Sequence, residues 1–153
     1  MRIGSILENL KVEKRIAVTP ETIKKYSSLG FEILLSENYG SHLGFNDKEY
    51  VELGAKICKE DKEILETSDI IVQIGMLSND KTSFIKQNQT IIGVLDPYNN
   101  KEKLESLAKK KINLFSLELL PRITRAQSMD ILSSQANLAG YKSVIESFAS
   151  FEK

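Results

Sequence analysis

The chain has very few of the residues that most often build metal centres and nucleophilic sites. Among its 153 residues there is one cysteine, Cys58, and one histidine, His42. A single cysteine excludes an internal disulfide framework and a zinc site made of thiolates. A single histidine excludes a site built from several histidines. We therefore expect neither a metal site nor a nucleophile–base pair.

An excess of one charge and a long apolar run are also missing. The 21 basic and 21 acidic residues give a formal net charge of zero, so the usual electrostatic signal for nucleic acid is absent. No apolar run approaches the ~20 residues that a membrane helix needs, and the first residues lack the apolar centre of a secretory signal. The length suffices for one good core, and we expect a cytoplasmic domain that binds no nucleic acid.

Strand-like and helix-like segments alternate along the chain. Short β-branched or apolar runs predict strands at 3–7, 31–36, 55–58, 69–74, 90–95 and 112–117. N-cap residues followed by helical spacing predict helices that begin at Thr19, at Asn46 and at Asn99, and a long helical stretch runs from 128 to 151. This alternation predicts an α/β fold: a mostly parallel sheet with helices on both faces and a long C-terminal helix.

Polar side chains are concentrated in residues 121–141, PRITRAQSMDILSSQANLAGY. Four of them recur at three- and four-residue spacing, which predicts one polar helix face: Gln127, Asp130, Ser134 and Asn137. Arg122 precedes them at the end of a predicted strand, where ligands bind in open α/β sheets. From spacing alone, the segment is either a site that orients a polar ligand or a solvated helix with capping groups.

This segment closely resembles the signature of the NAD-binding component (α subunit, domain I) of proton-translocating NAD(P) transhydrogenase. The start of the chain, MRIG…EKRIAVTPETIKKYSSLGFEILL, is similar to the start shared by that enzyme and alanine dehydrogenase. The resemblance implies a Rossmann-like (flavodoxin-like) fold. It also implies an oxidoreductase component that orients the nicotinamide for direct hydride transfer between NADH and NADP, coupled to proton translocation.

The resemblance also implies a set of site residues. In the family an Arg, a Gln, an Asp and a Ser of this loop contact the nicotinamide and its ribose. The matching positions here are Arg122, Gln127, Asp130 and Ser133. Arg122 would donate to the carboxamide oxygen and Asp130 would accept from its nitrogen, while Gln127 would bridge ribose hydroxyls. The alternative for Arg122 and Asp130 is a structural ion pair across the loop.

Alanine dehydrogenase is the rival within the same resemblance. That family uses an Arg near the start, a Lys after a central strand and a His after the next strand. Arg15 fits the first position, but the Lys position holds Gln73 and the His position falls near Asp96. Because neither residue offers a cation to a keto acid, both departures disfavour an alanine dehydrogenase-like fragment. Gln73 also departs from the Lys expected in transhydrogenases, and the role of Arg15 stays open.

No G-x-G-x-x-G turn, which would cradle a pyrophosphate, occurs in the chain. We therefore expect residues 1–127 to form an N-terminal domain and residues 128–153 to form a long helix leading to a missing NAD-binding Rossmann domain. Such a fragment is expected to be inactive alone and to bind NAD weakly. A non-catalytic, truncated assembly module is a further interpretation.

The resemblance implies partners as well. They are an NADP(H)-binding component and a membrane component, with a homodimer in the full-length protein. The chain would then lie in the cytoplasm, peripheral to the inner membrane.

Overall fold

Six short strands form one parallel sheet in the computed structural model, which describes residues 1–151. The strands are β1 (Arg2–Ser5), β2 (Glu32–Ser36), β3 (Ala55–Cys58), β4 (Ile70–Val72), β5 (Thr90–Gly93) and β6 (Asn113–Ser116). Their order across the sheet is β3-β2-β1-β4-β5-β6, and all neighbouring pairs are parallel. This is the doubly wound order of Rossmann sheets, and it confirms the predicted fold class.

Helices alternate with the strands and cover both faces of the sheet. They are α1 (Pro20–Ser28), α2 (Asp47–Glu52), α3 (Asp61–Thr67), α4 (Asn79–Thr82), α5 (Lys101–Lys109) and α6 (Ile131–Ala149). Successive side chains of β2 point to opposite faces. Leu34 lies in one buried cluster with Ile64 of α3. Ile33 lies in the other with Ile23 of α1 and Tyr50 of α2.

Most helix starts follow the predicted caps. Thr19 caps α1 in a reciprocal capping box, and the Asn46 side chain accepts from the backbone N–H of Glu49 at the start of α2. The box predicted at Asn99 is wrong, because α5 is preceded by Asn100 and the Asn99 amide donates to the Asp96 carboxylate instead. No helix was predicted where α3 and α4 lie. The N-cap residue of α3 makes no side-chain cap bond, and α4 is a single turn.

The strand order reverses between β1 and β4, which are neighbours at the centre of the sheet. At such a switch point the loops leave in opposite directions and open a crevice beyond the carboxyl ends of the strands. Close approach of the backbone fixes the same region from the other side. A Cβ on Gly93 of β5 would lie 2.5 Å from the carbonyl oxygen of Gln73, so only glycine fits there.

Contacts divide the chain into two units, of which the first is Met1–Ser116 and the second begins at Leu117. The described part of the second unit holds two short 3-10 helices, Leu117–Leu119 and Thr124–Met129, followed by α6. The predicted start of the long helix at 128 is wrong. Asp130 caps α6, so Gln127 lies in the preceding 3-10 helix and shares no α-helical face with Ser134. Among the described helices, none is both long enough and apolar enough to cross a membrane.

Candidate functional site

All four side chains that the resemblance singled out line one pocket of the second unit. The cavity measures about 340 Å³ and is lined by Arg122, Gln127, Asp130 and Ser133 together with Pro121, Ile123, Thr124 and Ala126. All of these residues lie within the stretch 121–133. Its volume lies within the range of small-molecule sites. The pocket is therefore built by one short piece of chain.

Consecutive tight turns fold this stretch back on itself. The backbone N–H of Ile123 donates to the Pro121 carbonyl at 2.9 Å, and the N–H of Ala126 donates to the Ile123 carbonyl at 2.9 Å. The next turn ends where the Asp130 N–H donates to the Gln127 carbonyl at 3.3 Å. In a 3-10 helix residues three apart eclipse each other, so Gln127 and Asp130 come to the same side of the turn.

Asp130 is the fixed point of the pocket, because its side chain caps α6. Oδ1 accepts from the backbone N–H of Ser133 at 3.0 Å, and Oδ2 accepts from the Ser133 hydroxyl at 2.7 Å. These two bonds, the backbone one first, hold the pKa of Asp130 below its usual range, and the Arg122 charge adds to the effect. Asp130 is thus a charged acceptor at neutral pH, with lone pairs left for a ligand.

The bond to Asp130 also orients Ser133. Because the Ser133 hydroxyl donates its only hydrogen to Asp130, its lone pairs are free to accept from a ligand N–H or O–H. The pair Asp130–Ser133 is therefore an acceptor surface at the start of α6.

Arg122 and Gln127 face the pocket without protein partners. Among the ion pairs of the described residues, none joins Arg122 to Asp130, so the structural ion pair considered from the sequence does not form. Within residues 1–151 the Gln127 amide makes no hydrogen bond. Both side chains are exposed, and both are available to a ligand. The site thus combines a cationic donor, an amide and an acceptor pair.

A second cavity lies at the switch point of the first unit. It measures about 430 Å³ and is lined in part by Glu8, which follows β1, and by Gln73 and Gly75, which follow β4. Sequence reasoning missed Glu8. Its place shortly after a strand that ends in the middle of the sheet is the signal that could have found it.

The three positions compared with alanine dehydrogenase do not meet in this crevice. Only Gln73 lines it. Arg15 is exposed and pairs with Glu13, with Nη2 at 2.6 Å from Oε2. The Asp96 carboxylate accepts from the Asn99 amide at 2.8 Å. The structure therefore brings no cation of this set to the crevice.

Gln73 is 97% buried in a polar network that uses both ends of its amide. Its Oε1 accepts from the Ser5 hydroxyl at 2.9 Å and from the Ile6 N–H at 2.8 Å, and its Nε2 donates to the Ile6 carbonyl at 3.1 Å and to Glu8 Oε1 at 3.2 Å. A lysine has no acceptor, so it could not replace Gln73 in these bonds.

The described residues contain no group of three or more His, Cys, Asp or Glu side chains that could hold a metal ion.

Comparison with known proteins places these features in a family context. The family model described as "Alanine dehydrogenase/PNT, N-terminal domain" matches residues 5–139. The chain is 41% identical over its whole length to the first of the separate parts of NAD(P) transhydrogenase subunit alpha in Rickettsia prowazekii, and it spans 41% of that relative. It is 26% identical to alanine dehydrogenase 1 of Staphylococcus aureus, with 95% of this chain and 38% of the relative covered.

Among solved structures, the transhydrogenase from Sinorhizobium meliloti superposes on 100% of this chain with a TM-score of 0.91 and 35% sequence identity. The match covers 46% of that chain. This chain therefore spans less than half the length of the relatives it matches.

Proposed function

The chain belongs to the family "Alanine dehydrogenase/PNT, N-terminal domain", and we propose that within it the chain is the N-terminal part of the NAD(H)-binding component of an NAD(P) transhydrogenase. One observation carries the proposal: Arg122, Gln127, Asp130 and Ser133 line a single pocket. The higher identity to the transhydrogenase relative than to the alanine dehydrogenase relative, 41% against 26%, supports this assignment within the family.

The polar groups of the pocket match those of a nicotinamide carboxamide. That group has one acceptor oxygen and an NH₂ with two donors. Arg122 carries only donors, whereas the Asp130 carboxylate and the oriented Ser133 hydroxyl offer acceptors. The donor set of this chain therefore fits the nicotinamide end of NAD(H).

Each residue has a distinct part in holding that ring. Arg122 donates to the carboxamide oxygen, and its planar guanidinium fixes the direction of the bond. Asp130 accepts from the carboxamide nitrogen, and it is rigid because it also caps α6. Ser133 accepts beside it. Gln127, which has no protein partner among the described residues, reaches the ribose hydroxyls.

When bound, NADH supplies the hydride that passes to NADP on the partner component. The chain contributes position rather than proton transfer, because donor and acceptor atoms must be held at short distance and in the right orientation. The low pKa of Asp130 agrees with this role, since the group stays ionised and acts as a fixed acceptor.

The crevice of the first unit weighs against an alanine dehydrogenase-like role. A keto acid needs a cation for its carboxylate. The crevice instead presents the carboxylates of Glu8 and Glu13, and its lysine, Lys81, is already paired with Asp61 at 2.6 Å. Nothing in this charge pattern attracts a small acid.

The proposal extends to the partners of the chain. They are an NAD-binding Rossmann domain, an NADP(H)-binding component and a proton-translocating membrane component. The assembled enzyme would be a homodimer of the NAD(H) component, held at the cytoplasmic face of the inner membrane through its partner subunits.

A chimera tests the proposed function. This chain replaces the aligned segment of the Rickettsia prowazekii subunit, and the chimera is assembled with the other subunits of that enzyme. We expect NADPH-dependent reduction of a nicotinamide analogue, and no alanine-dependent reduction of NAD⁺. A folded, assembled chimera without transhydrogenation would support the assembly module instead, and alanine-dependent activity would support the alanine dehydrogenase interpretation.

A further inference from the structure

The crevice at the switch point of the first unit already holds an anion, and that anion belongs to the chain itself. Glu8 Oε1 lies 2.7 Å from the backbone nitrogen of Ile74 and 3.2 Å from that of Gly75. The Gln73 Nε2 lies 3.2 Å from the same oxygen. Three N–H groups that follow β4 therefore converge on one carboxylate oxygen.

This arrangement has the chemistry of an anion-binding nest. Successive backbone N–H groups that point to one spot form a concave donor surface, and such surfaces bind carboxylates and phosphates in other folds. Rossmann sheets place ligands at this end of the central strands. The donors here are the ones that an external anion would use.

The position of Glu8 is fixed from behind by a buried chain of hydrogen bonds. The Tyr39 hydroxyl accepts from the backbone N–H groups of Ala17 and Val18, so it donates to the Ser5 oxygen at 2.7 Å. Ser5 in turn donates to Gln73 Oε1, and this leaves the Gln73 NH₂ end directed at Glu8. Every bond in the chain has a single direction, so the amide cannot flip without loss.

The carboxylate has no cationic partner in the described residues. None of the ion pairs there includes Glu8, and Oε2 takes no hydrogen bond from residues 1–151. Partial burial raises the pKa of Glu8, and the N–H bonds from Ile74 and Gly75 oppose that shift. The N–H groups after β4 are thus the main stabilisation of the charge.

We propose that Glu8 is an intramolecular carboxylate ligand that occupies the anion nest of the switch-point crevice and so closes the crevice to external carboxylates. The inference concerns the first unit alone. It is independent of what the pocket at 121–133 binds.

Removing the side chain and supplying a carboxylate tests the proposal. In Glu8→Ala three donors lose their acceptor, which destabilises the fold. The shortened side chain leaves space beside a cavity of about 430 Å³. Sodium acetate should then raise the thermal midpoint of Glu8→Ala by about 3 °C or more. Sodium chloride at the same ionic strength should leave it unchanged. The wild-type chain should not respond to acetate.

Glu13→Ala is the matched control. Glu13 lines the same cavity, but its carboxylate binds Arg15 rather than the backbone after β4. We expect no specific response to acetate in this variant. An equal response of the wild-type chain, or no response in folded Glu8→Ala, would overturn the proposal.

A second measurement covers the case in which Glu8→Ala does not fold. In the wild-type chain, the amide protons of Ile74 and Gly75 should shift together as Glu8 titrates in a ¹H–¹⁵N NMR series. The nearly isosteric Glu8→Gln keeps an acceptor oxygen, so it should fold and lose this shared titration. Amide shifts that ignore pH in the wild-type chain, or that persist in Glu8→Gln, would contradict the occupied nest.

Discussion

Asp130 combines two roles that a sequence pattern cannot separate. Its carboxylate caps α6 and also faces the pocket at 121–133. The same bond that fixes the helix start turns the Ser133 hydroxyl toward Asp130 and leaves its lone pairs for a ligand. Structural and binding functions thus depend on the same two side chains.

Gln127 offers the sharpest test at the level of one residue. In the chimera, Gln127→Asn shortens the side chain by one methylene and displaces the ribose contact. We expect transhydrogenation to fall roughly tenfold to a hundredfold, because small misplacements of reacting groups are costly. The NADH dissociation constant should change by about twofold at most. Stopped-flow rates and equilibrium binding on the same preparation measure both quantities.

Gln135→Asn is the control for that measurement. Gln135 lies in α6 and outside the pocket lining, so the same chemical change there should leave the rate unaltered. Equal rates for Gln127→Asn and the wild-type chimera would remove Gln127 from the proposed site.

The sequence suffices to select the four pocket residues, but only through the family resemblance. Spacing alone placed Gln127 and Asp130 on one helix face, whereas a 3-10 helix brings them together. The roles of Gln73 and Glu8 were not predictable in this way. Their bonds join residues 65–68 positions apart in the chain, and a pattern within a local window carries no record of such contacts.

At the level of elements, the start of α6 is the part of the site most open to perturbation. Asp130→Ala removes the acceptor for the Ser133 N–H, so the first turn of α6 should fray. Amide exchange at Ser133 should become several-fold faster. Asp130→Asn is the control, because an asparagine oxygen still accepts that bond. If Asp130→Ala leaves exchange at Ser133 unchanged, the cap does not fix this turn.

The same cap predicts a pH dependence. The folded chain lowers the pKa of Asp130, so its carboxylate stabilises the folded state fully above the ordinary aspartate pKa, about 4. That contribution is lost as the pH falls through the lowered pKa. Amide exchange at Ser133, corrected for its intrinsic rate, should therefore show constant protection from pH 7 to about 4.5 and weaker protection in more acid solution.

Element prediction succeeded where local chemistry is strong and failed where it is weak. Thr19 and Asn46 make the cap bonds that their sequence positions suggest. By contrast, α3 begins without a side-chain cap and α4 spans only Asn79–Thr82. These helices owe their formation to packing, as Ile64 and Leu65 of α3 are fully buried, and packing is a tertiary effect.

At the scale of the whole molecule, the chain holds a Rossmann sheet whose central crevice contains its own carboxylate. The polar pocket lies instead in the second unit, on residues 121–133. Neither the crevice nor the pocket has the glycine-rich turn that cradles a pyrophosphate. The chain therefore offers groups for the nicotinamide end of NADH and none for the pyrophosphate.

The most direct test of the proposed nicotinamide site is a ¹H–¹⁵N NMR titration of the chain with reduced nicotinamide mononucleotide, with adenosine monophosphate as the matched control. We predict shifts at residues 121–133 from the nicotinamide compound and none from the adenine compound. We also predict that NADH binds no tighter than about 0.1 mM, because only one end of the cofactor is held. Shifts confined to the switch-point crevice, or micromolar NADH binding, would contradict the proposed site.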